Sequence, residues 1–380
     1  MSYILLTWLL APIWWPIAQL RRILQTKPSR IVVFEIAGIG DVICSANLLG
    51  QLRQAYPSSR IDLVVDPIAN SLAPALTMIN RVILFAYAEQ RGLAGRLRLM
   101  RLCLGYDTAL CLIPSAAQIT GFCLAALPRR FSVLPLPLNT SYRMLAPLLT
   151  AQAAHPPGAF FLETQARLFN KLGLSCPDTV KMLHAPNRDV TMPVLNTGAR
   201  HIGLLVGSGR ALKRIPLPTL SSLVTRLVKD MGGSPVQVFL IGGPMDAALA
   251  EKIRDGVPSS AQAQVQDLSG RYALAELPAV LRQLDLLIGV DSGVTHMADA
   301  LGVPILCIAG PVDLGEVYAP ATIKRHFFIT PLSCYPCSRV FDTPATCHQG
   351  TVACLTALDA DAVVRQVKQM LDKLTTEKAL

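Results

Sequence analysis

The sequence has few charged residues. Asp, Glu, Lys and Arg make up 16% of its 380 residues, whereas hydrophobic residues make up 52%. This composition provides large apolar cores and excludes an intrinsically disordered chain, and the length suits two domains. Acids are scarcer than bases, and the net charge of +10 favours an anionic partner such as a nucleotide diphosphate, a phosphorylated glycolipid or an acidic membrane surface.

The absence of certain motifs excludes further classes of protein. The sequence has no zinc-finger spacing, no aromatic–basic stacking platform and no basic recognition helix, so we do not expect a nucleic-acid partner. The apolar start of the chain has no basic residue before it and no small-x-small site after it, which argues against a cleaved signal peptide.

Tryptophan is also scarce, and its placement is informative. The three tryptophans are Trp8, Trp14 and Trp15. They lie in an apolar stretch that basic residues follow, and this combination is typical of a membrane interface. Pro12 and Pro16 interrupt the stretch, which barely reaches the roughly 20 residues that a span needs. We predict that segment 1–27 is an interfacial or re-entrant anchor; a single span, or an arm packed on the protein or on a second subunit, are the alternatives.

The rest of the chain alternates short apolar runs with longer amphipathic ones, which predicts parallel sheets covered by helices. The predicted strands are Ile31–Ile36, Arg60–Asp66, Arg81–Phe85, Thr108–Ile113, His201–Val206, Val236–Ile241, Asp285–Val290 and Pro304–Ile308. Predicted helices include Val42–Ala55 and Ala69–Ile79. Prolines in Pro135–Pro157 break the rhythm, and Pro186–Arg200 is the predicted linker. We therefore predict domains at 28–190 and 191–356 and a closing helix in 357–380.

The first motif is Ala37–Asp41, a glycine turn between a strand and a helix that contains Gly38 and Gly40. A dinucleotide fingerprint needs a third small residue at the position of Ile43, so a nicotinamide dehydrogenase is disfavoured. Asp41 fits a helix cap. A carboxylate in this place also suits a general base that deprotonates a hydroxyl group, and the two roles are compatible.

The second motif is Gly207–Pro216, a glycine loop with Ser208 that leads to the cations Arg210, Lys213 and Arg214. Cations beside a flexible loop suit a leaving diphosphate, and a solvated basic loop is the alternative.

The third motif is Gly289–His296, where a strand ends and a helix begins. Ser292 and Gly293 would present backbone N–H groups at a helix N-terminus, which is a phosphate site. The alternative is an ordinary helix capped by Asp291 or Ser292, with His296 as a packed residue or a ligand contact.

The fourth motif is a group of four cysteines within twenty-one residues: Cys334, Cys337, Cys347 and Cys354. The first pair has a spacing that suits a structural zinc, but the second half lacks a tight pair. Free thiols or a single disulfide are the alternatives. We expect no cofactor to be required and a structural zinc to be possible at this cluster only.

Together these motifs resemble those of glycosyltransferase family 9, the ADP-heptose:lipopolysaccharide heptosyltransferases. The resemblance runs from Arg30 to the C-terminus and is most specific at Ile39–Val42, at Leu284–Pro304 and at Gly310–Asp313. It implies an α/β chain with the GT-B fold, in which two Rossmann-like doubly wound domains face each other across a cleft. The chain departs from the family pattern at Ile215 and Leu314 and in its N-terminal segment.

The resemblance also implies roles for individual residues. Asp41 matches the catalytic base, and Lys213 matches a lysine that contacts the donor diphosphate. The residues that match the donor-binding positions are Gly207, Ser208, Gly242, Gly243, Asp291, Ser292, Gly293 and His296.

The function implied is inverting transfer of a sugar, most simply heptose from ADP-heptose, to a lipopolysaccharide core or related glycolipid. We expect the protein to work at the cytoplasmic face of the bacterial inner membrane, peripherally or through its N-terminus. Six arginines of the first half are candidates for contacting acceptor phosphates or the leaflet, and a solvated basic face is the alternative: Arg91, Arg96, Arg98, Arg101, Arg129 and Arg130. The alternatives are a GT-B transferase that uses another sugar nucleotide for surface polysaccharide, and a non-catalytic membrane-bound partner of a glycan assembly complex.

Overall fold

A computed structural model describes residues 2–175, 179–183, 190, 192, 196, 198–231 and 235–379. The chain forms two compact units, Met1–Lys181 (unit 1) and Met182–Leu380 (unit 2). Their border lies ahead of the predicted 190/191 because the backbone has joined unit 2 by Leu183, whose N–H donates to the carbonyl of Ala300 at 3.2 Å. The predicted linker Pro186–Arg200 lies largely outside the described residues.

Unit 1 is built on a parallel sheet of six strands. The strands are β1 (Arg30–Glu35), β2 (Arg60–Val65), β3 (Arg81–Leu84), β4 (Thr108–Cys111), β5 (Arg129–Pro135) and β6 (Ala151–His155), in the order β3-β2-β1-β4-β5-β6. The central strand β1 pairs with β2 from Arg30 to Glu35 and with β4 from Ile31 to Phe34. Its apolar residues are buried because helices cover both faces of such a sheet.

The helices of unit 1 are α1 (Ser2–Leu9), α2 (Ala11–Leu24), α3 (Ile39–Ala55), α4 (Gly92–Cys103), α5 (Ala116–Leu124), α6 (Thr140–Leu145) and α7 (Phe161–Lys171). The predicted helix Ala69–Ile79 is wrong: the chain forms a 3₁₀ helix over Pro67–Ala75. Pro74 lacks the backbone N–H that continues a helix, and the element ends at Ala75, short of the predicted Ile79.

Segment 1–27 does not stand apart from unit 1. Ile4, Trp14 and Ala18 are buried against α5 and against Leu145 and Leu148. The indole of Trp14 donates to the carbonyl of Thr7 at 2.9 Å. In the described part of the chain, no single helix is long and apolar enough to cross a membrane. Helices α1 and α2 together have the length and apolar composition of a span, but a bend of 62° separates them.

Unit 2 repeats the arrangement of unit 1. Its strands are β7 (Arg200–Leu205), β8 (Val236–Ile241), β9 (Val265–Asp267), β10 (Leu286–Val290), β11 (Ile305–Ile308) and β12 (Arg325–Phe328), in the order β12-β11-β10-β7-β8-β9. Counted from β7, this is the strand order of unit 1 and that of a doubly wound nucleotide-binding domain. The prediction of two Rossmann-like domains is confirmed.

Eight helices cover this sheet within the described residues. They are α8 (Leu217–Lys229), α9 (Ala247–Asp255), α10 (Ser259–Gln262), α11 (Leu277–Leu281), α12 (Gly293–Ala300), α13 (Leu314–Val317), α14 (Ala353–Thr356) and α15 (Ala360–Ala379). The closing helix predicted in 357–380 corresponds to α15. It is part of the core, since its side chains Val363, Val367 and Met370 are fully buried beside α8 and the sheet.

Two arginines of β5 are placed differently from the prediction. Arg129 and Arg130 are buried rather than available to phosphates or lipid. The guanidinium of Arg130 donates to the carbonyls of Leu148 and Leu127 and lies over the rings of Trp14 and Trp15. Carbonyl and aromatic partners of this kind allow an arginine to be buried inside a domain.

Candidate functional site

The topology of the two sheets marks where ligands are expected. In a doubly wound sheet, the strand order reverses between the first and fourth strands, and ligands bind beyond the carboxyl ends of the strands at that point. The reversal lies between β1 and β4 in unit 1 and between β7 and β10 in unit 2. Three of the four sequence motifs follow β1, β7 and β10, so the fold places them at these points.

In unit 1 the predicted base lies inside the first turn of a helix. Helix α3 begins at Ile39, so Gly40 and Asp41 are both helical and Gly38 is the N-cap. Asp41 Oδ2 accepts a hydrogen bond from the backbone N–H of Gly38 at 2.9 Å. Because a carboxylate has several acceptor positions, this contact orients Asp41 and is compatible with accepting a substrate proton.

A second acid beside this turn was missed by the sequence analysis. Glu35, the last residue of β1, is fully buried. It accepts hydrogen bonds from the hydroxyl of Ser45 on α3 and, at 3.2 Å, from the amide of Gln165 on α7. Burial raises the pKa of Glu35 to about 8. The signal was a single acid within the otherwise apolar run Ile31–Ile36.

In unit 2 two distant motifs form an ion pair. Lys213 closes a 3₁₀ turn after β7, and its ammonium group contacts Asp291 Oδ2 beyond β10. The Asp291 side chain is 8% exposed and that of Lys213 is 18% exposed, so solvent screens the pair little. Burial by itself would raise the pKa of Asp291, but the hydrogen bond with His296 and the Lys213 charge outweigh it and hold this pKa well below its usual range.

His296 completes this cluster from the first turn of α12. Its Nε2 lies 2.9 Å from Asp291 Oδ1. An ionised carboxylate can only accept, so Nε2 carries the proton. The imidazole stacks on the ring of Tyr318, with 4.5 Å between ring centres. His296 is thus packed and orients Asp291, and its contact with the donor stays a prediction.

Helix α12 begins directly after β10 with a capped N-terminus. Ser292 is the N-cap, and its hydroxyl oxygen accepts the N–H of Thr295 at 3.4 Å. The hydroxyl of Thr295 donates to the carbonyl of Val290 at 2.6 Å, which fastens the helix start to the end of β10. Gly293 is the first helical residue, and the helix N-terminus supplies partial positive charge next to Asp291 and Lys213.

The predicted glycines after β7 and β8 surround an aspartate that the sequence analysis did not single out. A Cβ atom on Gly207 would lie 2.2 Å from the carboxylate of Asp246, and one on Gly242 would lie 2.7 Å from its Cβ. Asp246 Oδ2 accepts the N–H of Gly243 at 2.9 Å. The carbonyl of Ser208 accepts from Arg214 at 2.9 Å. These contacts hold the loops together, and they leave too little space for a Cβ atom at Gly207 and Gly242 unless neighbouring side chains such as Asp246 move.

The cysteine cluster lies around one cavity of about 270 Å³, which Leu212 also lines. All four thiols are half-buried and free. Burial raises the pKa of Cys337 and of Cys354, whereas hydrogen bonds from backbone N–H groups lower that of Cys347. In the described residues no group of three or more His, Cys, Asp or Glu side chains is arranged to hold a metal ion. The thiols share a cavity but do not form a ligand set as arranged, and zinc stays a prediction.

Comparison with known proteins identifies the family. The family model described as glycosyltransferase family 9 (heptosyltransferase) matches residues 150–345, about half of the chain. The chain belongs to glycosyltransferase family 9. A curated relative, lipooligosaccharide heptosyltransferase 2 of Haemophilus ducreyi, is 24% identical over 79% of this chain and 88% of its own.

Solved structures of family members share the fold. ADP-heptose lps heptosyltransferase II of E. coli is 19% identical and superposes with a TM-score of 0.63 over 91% of this chain and 99% of its own. A family 9 glycosyl transferase from Veillonella parvula is 18% identical, with a TM-score of 0.65 over 91% and 98%. A further E. coli heptosyltransferase, solved with ADP-2-deoxy-2-fluoro heptose, is 18% identical, with a TM-score of 0.62 over 90% and 99%. The predictions of a GT-B fold and of a glycosyltransferase are confirmed.

Proposed function

We propose that this glycosyltransferase transfers heptose from ADP-heptose to a lipopolysaccharide core or related glycolipid, with inversion at the anomeric carbon. One observation carries the proposal in a family 9 chain: the ammonium group of Lys213 is held against an ionised, buried Asp291 beside the N-terminus of α12. An ammonium group that is held in place beside a helix N-terminus, at a strand-order reversal, suits the diphosphate of a nucleotide sugar.

The donor diphosphate would bind where these positive groups lie together. An ammonium group has three N–H donors, so Lys213 can contact a phosphate oxygen without leaving Asp291. The backbone N–H groups at Ser292 and Gly293 would take a second oxygen. Negative charge grows on the diphosphate as the glycosidic bond breaks, so these groups stabilise the transition state more than the bound donor.

Asp41 is the proposed general base. Inversion needs the acceptor hydroxyl to attack the anomeric carbon on the face opposite the leaving diphosphate, through an oxocarbenium-like transition state. Asp41 would take the hydroxyl proton during that attack. Its hydrogen bond to the N–H of Gly38 holds one carboxylate oxygen at a defined position, which favours a single approach of the acceptor.

The proposed location is the cytoplasmic face of the bacterial inner membrane, where a lipid-linked acceptor would be available. No cofactor is required for this displacement. A zinc ion at the four cysteines would be structural, because the cluster carries none of the groups proposed for catalysis.

Calorimetric titration of the purified protein with ADP, UDP, GDP and ADP-heptose tests the donor. We expect ADP and ADP-heptose to bind and the other two nucleotides to bind much more weakly. Lys213→Ala should weaken ADP binding and turnover together, and Lys252→Ala, an exposed lysine in the last turn of α9, is the matched control. Selective binding of UDP or GDP would contradict the ADP-heptose proposal and move the function to another sugar nucleotide in surface polysaccharide synthesis.

A further inference from the structure

Helices α1 and α2 expose an unusually apolar surface. Ten large hydrophobic side chains in this pair are exposed: Leu5, Leu6, Trp8, Leu9, Ile13, Trp15, Ile17, Leu20, Ile23 and Leu24. Between Leu5 and Leu24, a stretch described in full, Arg22 is the one charged residue among the exposed side chains. A helix packed on a water-soluble domain normally turns polar residues outward, and α1 and α2 do the opposite.

We call this surface the N-terminal apolar face. The opposite sides of α1 and α2 pack on the rest of unit 1. Trp8 donates its indole N–H to the carbonyl of Met144 at 3.0 Å. The guanidinium of Arg21 donates to the carbonyls of Tyr106 at 2.7 Å and Ala126 at 3.1 Å. The inward sides of both helices are therefore used for packing, and the outward sides are available for a partner.

Charge indicates which partner fits. Residues 1–181 contain 17 Lys and Arg against 8 Asp and Glu, a net charge of +9, whereas residues 182–380 contain 18 against 17, a net charge of +1. The first acidic residue of the chain is Glu35, so no acid lies in α1 or α2. An apolar face on the strongly basic unit suits an anionic lipid surface.

Helix α4 extends the same surface. The guanidinium of Arg96 lies 3.5 Å from the ring centre of Tyr3 in α1, which places α4 beside the apolar face. On α4, Leu93 and Leu97 are exposed together with Arg101. Apolar and basic side chains alternate there as they do in helices that lie at a membrane surface, with cations available for lipid phosphates.

The lengths of the helices decide between lying on the membrane and crossing it. Helix α2 has 14 residues and rises about 21 Å, short of the roughly 30 Å hydrocarbon core. Helix α1 has eight residues, and a bend of 62° separates the two. A straight span would also have to pull Ile4 and Trp14 out of the core of unit 1.

We propose that the N-terminal apolar face, with the exposed side of α4, is a monotopic docking surface that inserts into the headgroup region of an anionic bilayer without crossing it. The inference rests on the proposed location of the enzyme at a membrane and is independent of the donor. Trp8 and Trp15 would lie at the headgroup level, and Leu9, Ile13 and Ile23 would reach the upper acyl chains.

The distribution of tryptophan provides a direct test with the full chain. All three tryptophans lie in α1 and α2, so the tryptophan emission reports on these two helices: Trp8 and Trp15 are exposed on the apolar face, and Trp14 is buried behind it. Adding vesicles that contain phosphatidylglycerol should shift the emission to the blue, and phosphatidylcholine vesicles should have a weaker effect. Lipids brominated near the headgroup should quench the emission more than lipids brominated at the chain ends, and added salt should weaken binding. Stronger quenching at the chain ends would overturn the proposal in favour of a span.

A matched pair of triple variants separates this surface from general hydrophobicity. Leu9→Ser/Ile13→Ser/Ile23→Ser should weaken partitioning into phosphatidylglycerol vesicles by about tenfold or more. The control Ile68→Ser/Val180→Ser/Ile329→Ser, also at exposed positions, should bind vesicles like the wild type. Both variants should bind ADP like the wild type. A loss of ADP binding would therefore count against the proposed donor site and not against the membrane surface.

The remaining outcomes would overturn the proposal. Equal vesicle binding by the two variants would mean that other residues attach the protein. A concentration-dependent dimer that the first variant abolishes, with no vesicle binding by the wild type, would mean that the apolar face joins two copies of the chain. Sedimentation of the protein with and without vesicles distinguishes these cases.

Discussion

The ion pair between Lys213 and Asp291 should stabilise unit 2 as well as bind the donor. The test is Asp291→Asn, which keeps the shape of the side chain and removes its charge. Breaking a buried ion pair by removing one partner costs about 3–5 kcal/mol. Lys213 retains 18% exposure and the new amide keeps an acceptor for His296, so we expect a smaller loss of about 2–3 kcal/mol in the free energy of unfolding.

The pH dependence of this loss follows from the lowered pKa of Asp291. A carboxyl group whose folded pKa lies below its unfolded value of about 3.9 stabilises the protein above that value, and the contribution disappears as the pH falls through the folded pKa. The part of the difference between the wild type and Asp291→Asn that comes from the Asp291 charge should therefore be lost as the pH falls below about 4.

Urea unfolding followed by circular dichroism measures the effect. Tryptophan fluorescence is unsuitable for this purpose because all three tryptophans lie in unit 1. The matched control is Asp361→Asn, which removes the partner of Arg226 in an ion pair whose side chains are 42% and 46% exposed. An exposed pair contributes at most about 1 kcal/mol. A loss for Asp291→Asn no larger than that of the control would refute the reasoning about burial.

Further variants test the other parts of the structure. Asp41→Asn should lower turnover by about 10²–10⁴-fold in a heptose-transfer assay and leave calorimetric ADP binding intact, because general-base catalysis is worth that much; full activity would exclude Asp41 as the base. Glu35→Gln should remove a fall in wild-type stability between about pH 4.5 and pH 8, measured by urea unfolding, because the raised pKa of Glu35 favours its neutral form in the folded state; identical pH profiles would exclude a protonated Glu35. Gly207→Ala should destabilise unit 2 by about 1–3 kcal/mol in the wild type and by less in an Asp246→Ala background, where the new methyl group has space; equal losses would place the strain elsewhere. Cys347 should react with iodoacetamide before the other three cysteines of the cluster, because its pKa is lowered and the thiolate is the reactive form; mass spectrometry measures the order. Protection of all four thiols by added zinc would support a structural metal.

The repeating strand–helix pattern of the fold could be predicted from the sequence. Prediction failed where a strand lacks the usual local pattern. Apolar runs such as Val236–Ile241 are strands because they are buried on both sides of the sheet. Strand β5 was missed because two arginines open it and a proline ends it. The structure buries Arg130 through carbonyls and tryptophans that lie far away in the chain, and no local pattern contains that information.

The site shows the same division between local and distant information. Gly38, Asp41, Ser292 and Gly293 could be predicted because a strand–turn–helix pattern determines their position. The contact between Lys213 and Asp291 joins residues 78 positions apart, and it forms because β7 and β10 are neighbours in the sheet. Residue-type patterns alone did not indicate that pairing.

The buried Glu35 has a consequence for how the enzyme would respond to alkaline solution. Near neutral pH Glu35 keeps its proton, since its pKa is about 8. Of the two acids Glu35 and Asp41, only Asp41 is then negatively charged. Above that pH a negative charge forms on Glu35, beside the turn that carries Asp41. A residue that never touches the acceptor would thereby change the charge next to the proposed base within the alkaline range.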